Sequence, residues 1–419
     1  MGPNEVTMLK IYHGNFVWSK SAAELAACEN GYLAVSDQII EGIYGQLPEK
    51  FAQVPVEELG KGVLIPAFSD LHVHAPQYPQ RGLAMDELLS DWLSRYTFPL
   101  EAKYADMEYA RAVYDAFVDD LIANGTLHAC VFGTIHSDAT GYLLERMEEK
   151  GMRAFVGKVN MDKTSPDYLC ETTKGSLRET EAFLEKYGAN ELARPILTPR
   201  FAPTCSWKLM KGLGELAKKY RIGVQTHLVE SKWEASQALI DFPDVSCDTQ
   251  IYERAGLMDN GPVVGAHFIF PSEEDIRILR SYNGYAVQCP DATVNVIAGI
   301  MRTAGLSEAG VNLGLGSDIA GGHNIGLYSQ IARSVQLSKL KWFYEPEGNR
   351  PIDFPEAFYM ATKQGGRIFG NVGSFEKGYR FEGVLVDGLE DSYENLTACE
   401  KVERFCYYGN KGNIRQVFR

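Results

Sequence analysis

Cysteine is scarce and scattered: eight in 419 residues, at no regular spacing, and no Cys-x-x-Cys follows Cys289-Pro290. This excludes a disulfide framework, and the thiols read as small buried hydrophobes of a reducing compartment. Long hydrophobic runs are absent as well, since nothing approaches the roughly 18 apolar residues of a membrane span. Met1-Gly2-Pro3-Asn4-Glu5 offers neither a basic leader nor the apolar stretch of a signal peptide. These absences predict a cytoplasmic protein. Basic residues are in deficit, 41 Lys and Arg against 55 Asp and Glu, which gives a net charge of −14. That sign argues against a nucleic-acid backbone or an acidic membrane as main partner, but not against a small molecule without phosphate. No short repeat or low-complexity segment is visible. What is present, 45% hydrophobic and 23% charged residues, suffices for a sizeable soluble core.

The centre of the chain alternates strand-like and helix-like segments eight times, the pattern of an α/β fold closed into a (β/α)₈ TIM-type barrel. The expected strands are Val63–His74, Thr126–Thr134, Ala154–Met161, Pro195–Phe201, Gly223–His227, Val263–Phe268, Tyr285–Cys289 and Val311–Ser317. Amphipathic helical stretches such as Asp106–Ala123 and Leu209–Tyr220 lie between them, and Pro355–Ile368 reads as a closing helix. The two ends look different, with short strands and Gly turns, including Leu9–His13, Gly383–Val386 and Phe405–Tyr408. Residues 1–62 and 373–419 are therefore expected to pair into one small β-sandwich domain beside a barrel of residues 63–372.

The most informative stretch is His72-Val73-His74 at the end of the first barrel strand. Residues two apart in a strand share a face, so both imidazoles aim at one point. Three further apolar runs end in metal-competent or proton-transferring side chains: at His227, with Glu230 just beyond, at His267, and at Asp318. Arg200 ends the fourth strand. In such barrels the C-terminal strand ends share one mouth, where the chemistry sits. His72, His74, His227 and Asp318 make a donor set for Zn²⁺ or another divalent transition metal, which would lower the pKa of bound water toward about 7. Glu230 is close enough to shuttle that proton, or else is a solvated carboxylate at the start of a helix. His267 is a ligand or a group that orients the water; with four ligands in hand, the second role is expected. His13, His128 and His136 read as structural, and His323 as a mouth-loop residue. No His-Glu-x-x-His helix, Pro-Cys-x-x-Cys deaminase signature or P-loop occurs.

This set resembles the amidohydrolase superfamily in its mononuclear-metal branch. The segments 70–78, 92–99, 155–162, 198–201 and 314–322 narrow the likeness to the guanine deaminase family, over roughly residues 62–385. The chain departs from the family at Asp291-Ala292, where an Asn-Leu pair is usual, and at Leu228-Val229, where a small polar residue is common. The resemblance implies hydrolytic deamination of guanine to xanthine and ammonia by a metal-activated hydroxide. Glu230, His267 and Asp318 would be catalytic, and Gln77, Trp92, Arg200 and Phe201 would contact the purine. It also implies one Zn²⁺ per chain, with Fe²⁺ the alternative, and a homodimer. Dinuclear relatives carry a carboxylated lysine where this chain has Arg200, and Lys158 lies one strand earlier, which favours a single metal. The alternatives are the same fold acting on 8-oxoguanine, a pterin or an s-triazine, and a catalytically silent scaffold; the latter would be expected to have lost a ligand or Glu230.

Overall fold

The computed structural model describes residues 8–390, 393 and 395–419. The Met1–Glu5 segment read above lies outside them. In chain order the strands are Leu9–Ser21 (β1), Glu24–Ser36 (β2), Ile39–Tyr44 (β3), Val56–Pro66 (β4), Phe68–His74 (β5), Thr126–Phe132 (β6), Arg153–Gly157 (β7) and Val159–Asn160 (β8). They continue with Ala193–Pro195 (β9), Thr198–Pro199 (β10), Val224–Leu228 (β11), Val263–His267 (β12), Tyr285–Gln288 (β13), Asn312–Leu315 (β14), Gly383–Val386 (β15) and Ile414–Phe418 (β16).

Eight of these form a parallel sheet in the order β11-β12-β13-β14-β5-β6-β7-β9. Its two edges meet where Leu197 bridges Val224, with the Leu197 N–H donating to the Gly223 carbonyl at 3.1 Å and the Gln225 N–H to Leu197 at 2.9 Å. The sheet is thus the expected barrel. Its strands are covered outside by helices and filled inside by side chains, so β5 and β6 are buried along their whole length. This is why they appear in sequence as continuous apolar runs rather than alternating ones. The helices begin where small polar side chains can cap free amides. Asp106 accepts from the Glu108 N–H ahead of the helix Met107–Ala123, and Ser206 from the Leu209 N–H ahead of Trp207–Tyr220. Ala110, Tyr114, Phe117, Val118 and Leu121 of the first helix recur at helical spacing and face the barrel core.

Both chain ends contribute to a second sheet of order β16-β15-β4-β1-β2-β3. The layers expected of a sandwich are one continuous sheet here. Its outer strand β3 bridges through Ile39 to Arg380, just before β15, so the sheet curls round an apolar interior of Tyr12, Phe16, Leu33, Leu64, Phe381 and Phe418.

Two sequence expectations need correcting. Val63–His74 is two strands: β4 carries the end sheet to Pro66, past the boundary expected after residue 62, and only β5 belongs to the barrel. Phe405–Tyr408 is the last turn of a helix, Ala398–Tyr408. Its aromatic run suggested a strand, but the Thr397/Glu400 capping box starts a helix that buries Val402, Phe405 and Cys406.

The two sheets are joined by a buried polar anchor. The His128 ring, on β6, lies 2.9 Å from Ser69 Oγ and 2.7 Å from a Glu382 carboxylate oxygen. Arg153 and Arg380 approach the other oxygen of Glu382 at 3.4 and 3.2 Å.

Candidate active site

The sequence-expected site residues, brought by β5, β10, β11, β12 and the turn after β14, meet at one end of the barrel. His74 Nε2 lies 3.0 Å from His227 Nε2. Asp318 places one carboxylate oxygen 3.2 Å from His72 Nε2 and 3.6 Å from His74 Nε2. The turns that deliver these groups are bent sharply: Val229, His267 and Asp318 have φ of 45°, 73° and 46°, a left-handed backbone that non-glycine residues hold only where surrounding packing enforces it. Asp70 ties two of the strand ends together. It accepts from the Ser317 hydroxyl at 2.5 Å, the Ser317 N–H at 3.1 Å and the His72 N–H at 3.2 Å.

The donor set fits a divalent metal ion. His227 Nδ1 lies 2.6 Å from the Arg200 carbonyl, which can only accept, so Nδ1 carries the proton and Nε2 keeps its lone pair for the site. His72 Nε2 is buried without a hydrogen-bond partner, Asp318 lying close but out of line. Burial first, and the neighbouring His72 second, hold the His74 and His227 imidazoles well below the usual histidine value. They are therefore neutral at pH 7, as ligands must be. Among the described residues, two groups of donor atoms are compact enough for an ion, His72/His74/His227 and His72/His267/Cys289/Asp318. Lys158 does not join them; its ammonium is held by Glu171 at 2.8 and 2.9 Å.

Beside the donor set, His267 Nε2 is 3.7 Å from Glu230 Oε1 and 3.7 Å from Asp318 Oδ2. Burial lowers the His267 pKa to about 4. Burial, then the nearby Asp318, pushes the Glu230 carboxyl up to about 8. Glu230 is not a fully solvated helix-start residue: Ser231 caps the helix Lys232–Asp241, and the Glu230 side chain, ahead of that cap, is 13% exposed. A carboxyl with this pKa carries a proton at neutral pH and can exchange it.

The site opens into a cavity of about 670 Å³. Gln77, Trp92, Arg200, Phe201, His227, Glu230, His267 and Asp318 line it, whereas His72 is buried behind. Arg200, expected to contact the purine, has two of its guanidinium nitrogens engaged by the Glu101 carboxylate at 2.7 and 3.2 Å. Glu101 was not found in the sequence, because it ends a four-residue helical turn, Phe98–Glu101, with no periodic pattern around it. Trp233 and Glu234, which also line the cavity, were missed too; their spacing of three and four residues beyond Glu230 was the available signal. His323 packs with Asn295 and lies 3.7 Å from Asp291.

A parallel barrel with a cluster of imidazoles and carboxylates at its mouth is the architecture of metal-assisted hydrolases, and residues 63–419 match the amidohydrolase family model. The chain belongs to the amidohydrolase family and, within it, to the guanine deaminases. It is 34% identical to the guanine deaminase of Dictyostelium discoideum, over 87% of this chain and 83% of that one. It is 32% identical to the Rattus norvegicus guanine deaminase, over 97% and 95%. Among solved structures it is similar to the guanine deaminase from C. acetobutylicum with bound guanine in the active site: 38% identity, 98% of each chain covered, and a TM-score of 0.95.

Proposed function

We propose that this chain catalyses the hydrolytic deamination of guanine to xanthine and ammonia, using one zinc ion held by His72, His74, His227 and Asp318. The observation that carries the reading is the joining of a mostly buried, high-pKa Glu230 to a neutral-imidazole donor set, in a chain 38% identical to an enzyme solved with guanine in its site. When bound, the ion supplies the Lewis acidity that brings the pKa of water toward neutrality.

The chain's own groups do the rest. Asp318, within reach of both His72 and His267, accepts the proton that water gives up. Protonated Glu230 donates to the ring nitrogen beside the carbon under attack; its carboxylate then takes the proton of the added hydroxyl as the C–N bond breaks, and the proton held by Asp318 goes to the departing amine, which leaves as ammonia. His267 is neutral, so it can donate a hydrogen bond to the oxygen as charge develops without losing a proton. Arg200 and Gln77 present N–H groups to the purine carbonyl and ring edge, while Trp92 and Phe201 bound its faces.

In this reading the barrel, from β5 to about residue 372, forms the catalytic unit, and β1 to β4 with residues 373–419 a supporting unit, in a cytoplasmic homodimer. The exposed aromatic run Trp342, Phe343 and Tyr344 offers apolar surface for self-association. No helix among the described residues is long and apolar enough to cross a membrane.

The test is ammonia release from guanine, 8-oxoguanine, a pterin and an s-triazine. Guanine should be the fastest of the four. Glu230→Gln should keep the metal and bind guanine, with turnover lower by at least about 10²-fold. Near-normal turnover with metal retained would remove Glu230 from the chemistry, and a faster rate on another ring would reassign the substrate.

A further inference from the structure

Glu101 does not line the cavity, yet it touches two side chains that do. It is 2% exposed. One of its oxygens accepts from Gln77 Nε2 at 3.0 Å and from an Arg200 nitrogen at 3.2 Å; the other accepts from Arg200 at 2.7 Å. Gln77 Oε1 in turn accepts the Ala320 N–H at 3.1 Å. The Arg200 carbonyl holds His227 Nδ1. A continuous hydrogen-bonded chain therefore crosses the mouth, from the turn after Asp318 to the donor set, and Glu101 is its centre.

The chemistry of the partners fixes what this chain presents. A carboxylate only accepts and a backbone N–H only donates, so Gln77 can sit only with its amide nitrogen toward Glu101 and its oxygen toward Ala320. The amide cannot flip. Two of the five guanidinium N–H groups of Arg200 are bound to Glu101, which leaves the rest pointing elsewhere at a fixed angle. With the Gln77 oxygen already engaged, the groups left for a ligand are N–H donors. Such a face accepts a carbonyl and opposes an amine, because an opposed amine leaves buried donors unpaired.

We propose that Glu101 is a positioning residue that sets specificity. It locks Gln77 and Arg200 into a donor face that selects a purine carrying a carbonyl, rather than an amine, at the six-position. The inference rests on the guanine reading and adds to it a residue that acts only through its neighbours. Without the carboxylate, Gln77 is oriented by the Ala320 N–H alone, and the buried guanidinium loses its counter-charge and its aim.

The experiment compares guanine with 2,6-diaminopurine, which keeps the amine to be removed and replaces the carbonyl by a second amine. Wild-type protein should favour guanine strongly. Glu101→Gln, the same shape without the charge, should retain metal, raise KM for guanine at least about 10-fold with a smaller change in kcat, and narrow the preference at least about 10-fold. Glu101→Asp keeps the charge but shortens the reach; it should shift both quantities in the same direction, and serves if Glu101→Gln does not fold. A merely structural glutamate would lower stability without moving the ratio. Either folded variant with wild-type KM and wild-type preference overturns the proposal, as does a wild type that treats the two bases alike. A wild type inert toward guanine removes the substrate reading and this proposal together, whereas an active wild type with unchanged variants removes only the proposal.

Discussion

Gly316→Ala is a small perturbation with a sharp expected result. Gly316 sits in Gly314-Leu315-Gly316-Ser317-Asp318, with its N–H bonded to the Gln288 carbonyl at 2.9 Å. Its backbone is not in the left-handed region, so alanine is conformationally allowed and only space decides. A Cβ there would lie 2.8 Å from His72 Cβ, 2.9 Å from the His72 carbonyl oxygen and 3.1 Å from Cys289 Sγ. The first two are main-chain-proximal atoms that cannot swing aside. Restoring ordinary contact requires a shift of roughly 0.5–1 Å in a close-packed region, at a cost of about 1–3 kcal/mol. The part that moves is His72, whose Nε2 stands 3.2 Å from Asp318. A displacement of this size at reacting groups can cost up to about 10²-fold in rate. Thermal melting, metal content after dialysis and guanine turnover should all fall together. Gly45→Ala is the control, since a Cβ there meets nothing within 4 Å. If Gly316→Ala keeps the melting temperature, metal content and turnover of Gly45→Ala, the argument that this glycine sets the position of His72 is wrong.

Three further outcomes follow from the same geometry. Chelation should abolish deamination, and zinc should restore it at about one ion per chain; elemental analysis finding two tightly held ions would contradict the single-site reading. Glu382→Gln should destabilise the fold by about 3 kcal/mol near neutral pH, measured by denaturant titration, because it breaks a buried ion pair and leaves the anchor half satisfied. For pH, burial alone would raise the Glu382 carboxyl, but His128, Arg153 and Arg380 together hold it below its ordinary value of 4.5. Its stabilisation is therefore fully present above about pH 4.5 and is lost as pH falls through the lower folded-state value. Wild-type stability should drop across that acid window while Glu382→Gln changes less, and parallel acid curves would count against the anchor.

How far the sequence reached follows from where each residue's signal lay. His72, His74, His227, His267 and Asp318 were legible because barrel strands are uniform apolar runs, and a polar residue ending one stands out. Glu230 was legible only by its distance from His227; its desolvation and the nearness of Asp318, which raise its pKa, depend on tertiary packing that local sequence does not show. Glu101 was invisible, because its partners Gln77 and Arg200 are 24 and 99 residues away and nothing local marks it. The junction at Ala67 was hidden for the opposite reason. β4 and β5 are both apolar there, so one run covers two strands of different sheets.

The way the end sheet is shared between the two chain ends has a consequence for biosynthesis. β4 pairs with β1 on one side and with β15 on the other, and β15 leaves the ribosome about 300 residues after β4, which at typical translation rates is about 15 s to a minute later. Throughout that interval the outer edge of β4 has no partner, and the apolar side chains that Phe381 and Phe418 will cover are bare. The nascent chain thus emerges with an open strand edge that β15 later covers. A truncation that removed β15 and β16 would therefore strike at solubility before it touched the chemistry at the barrel mouth.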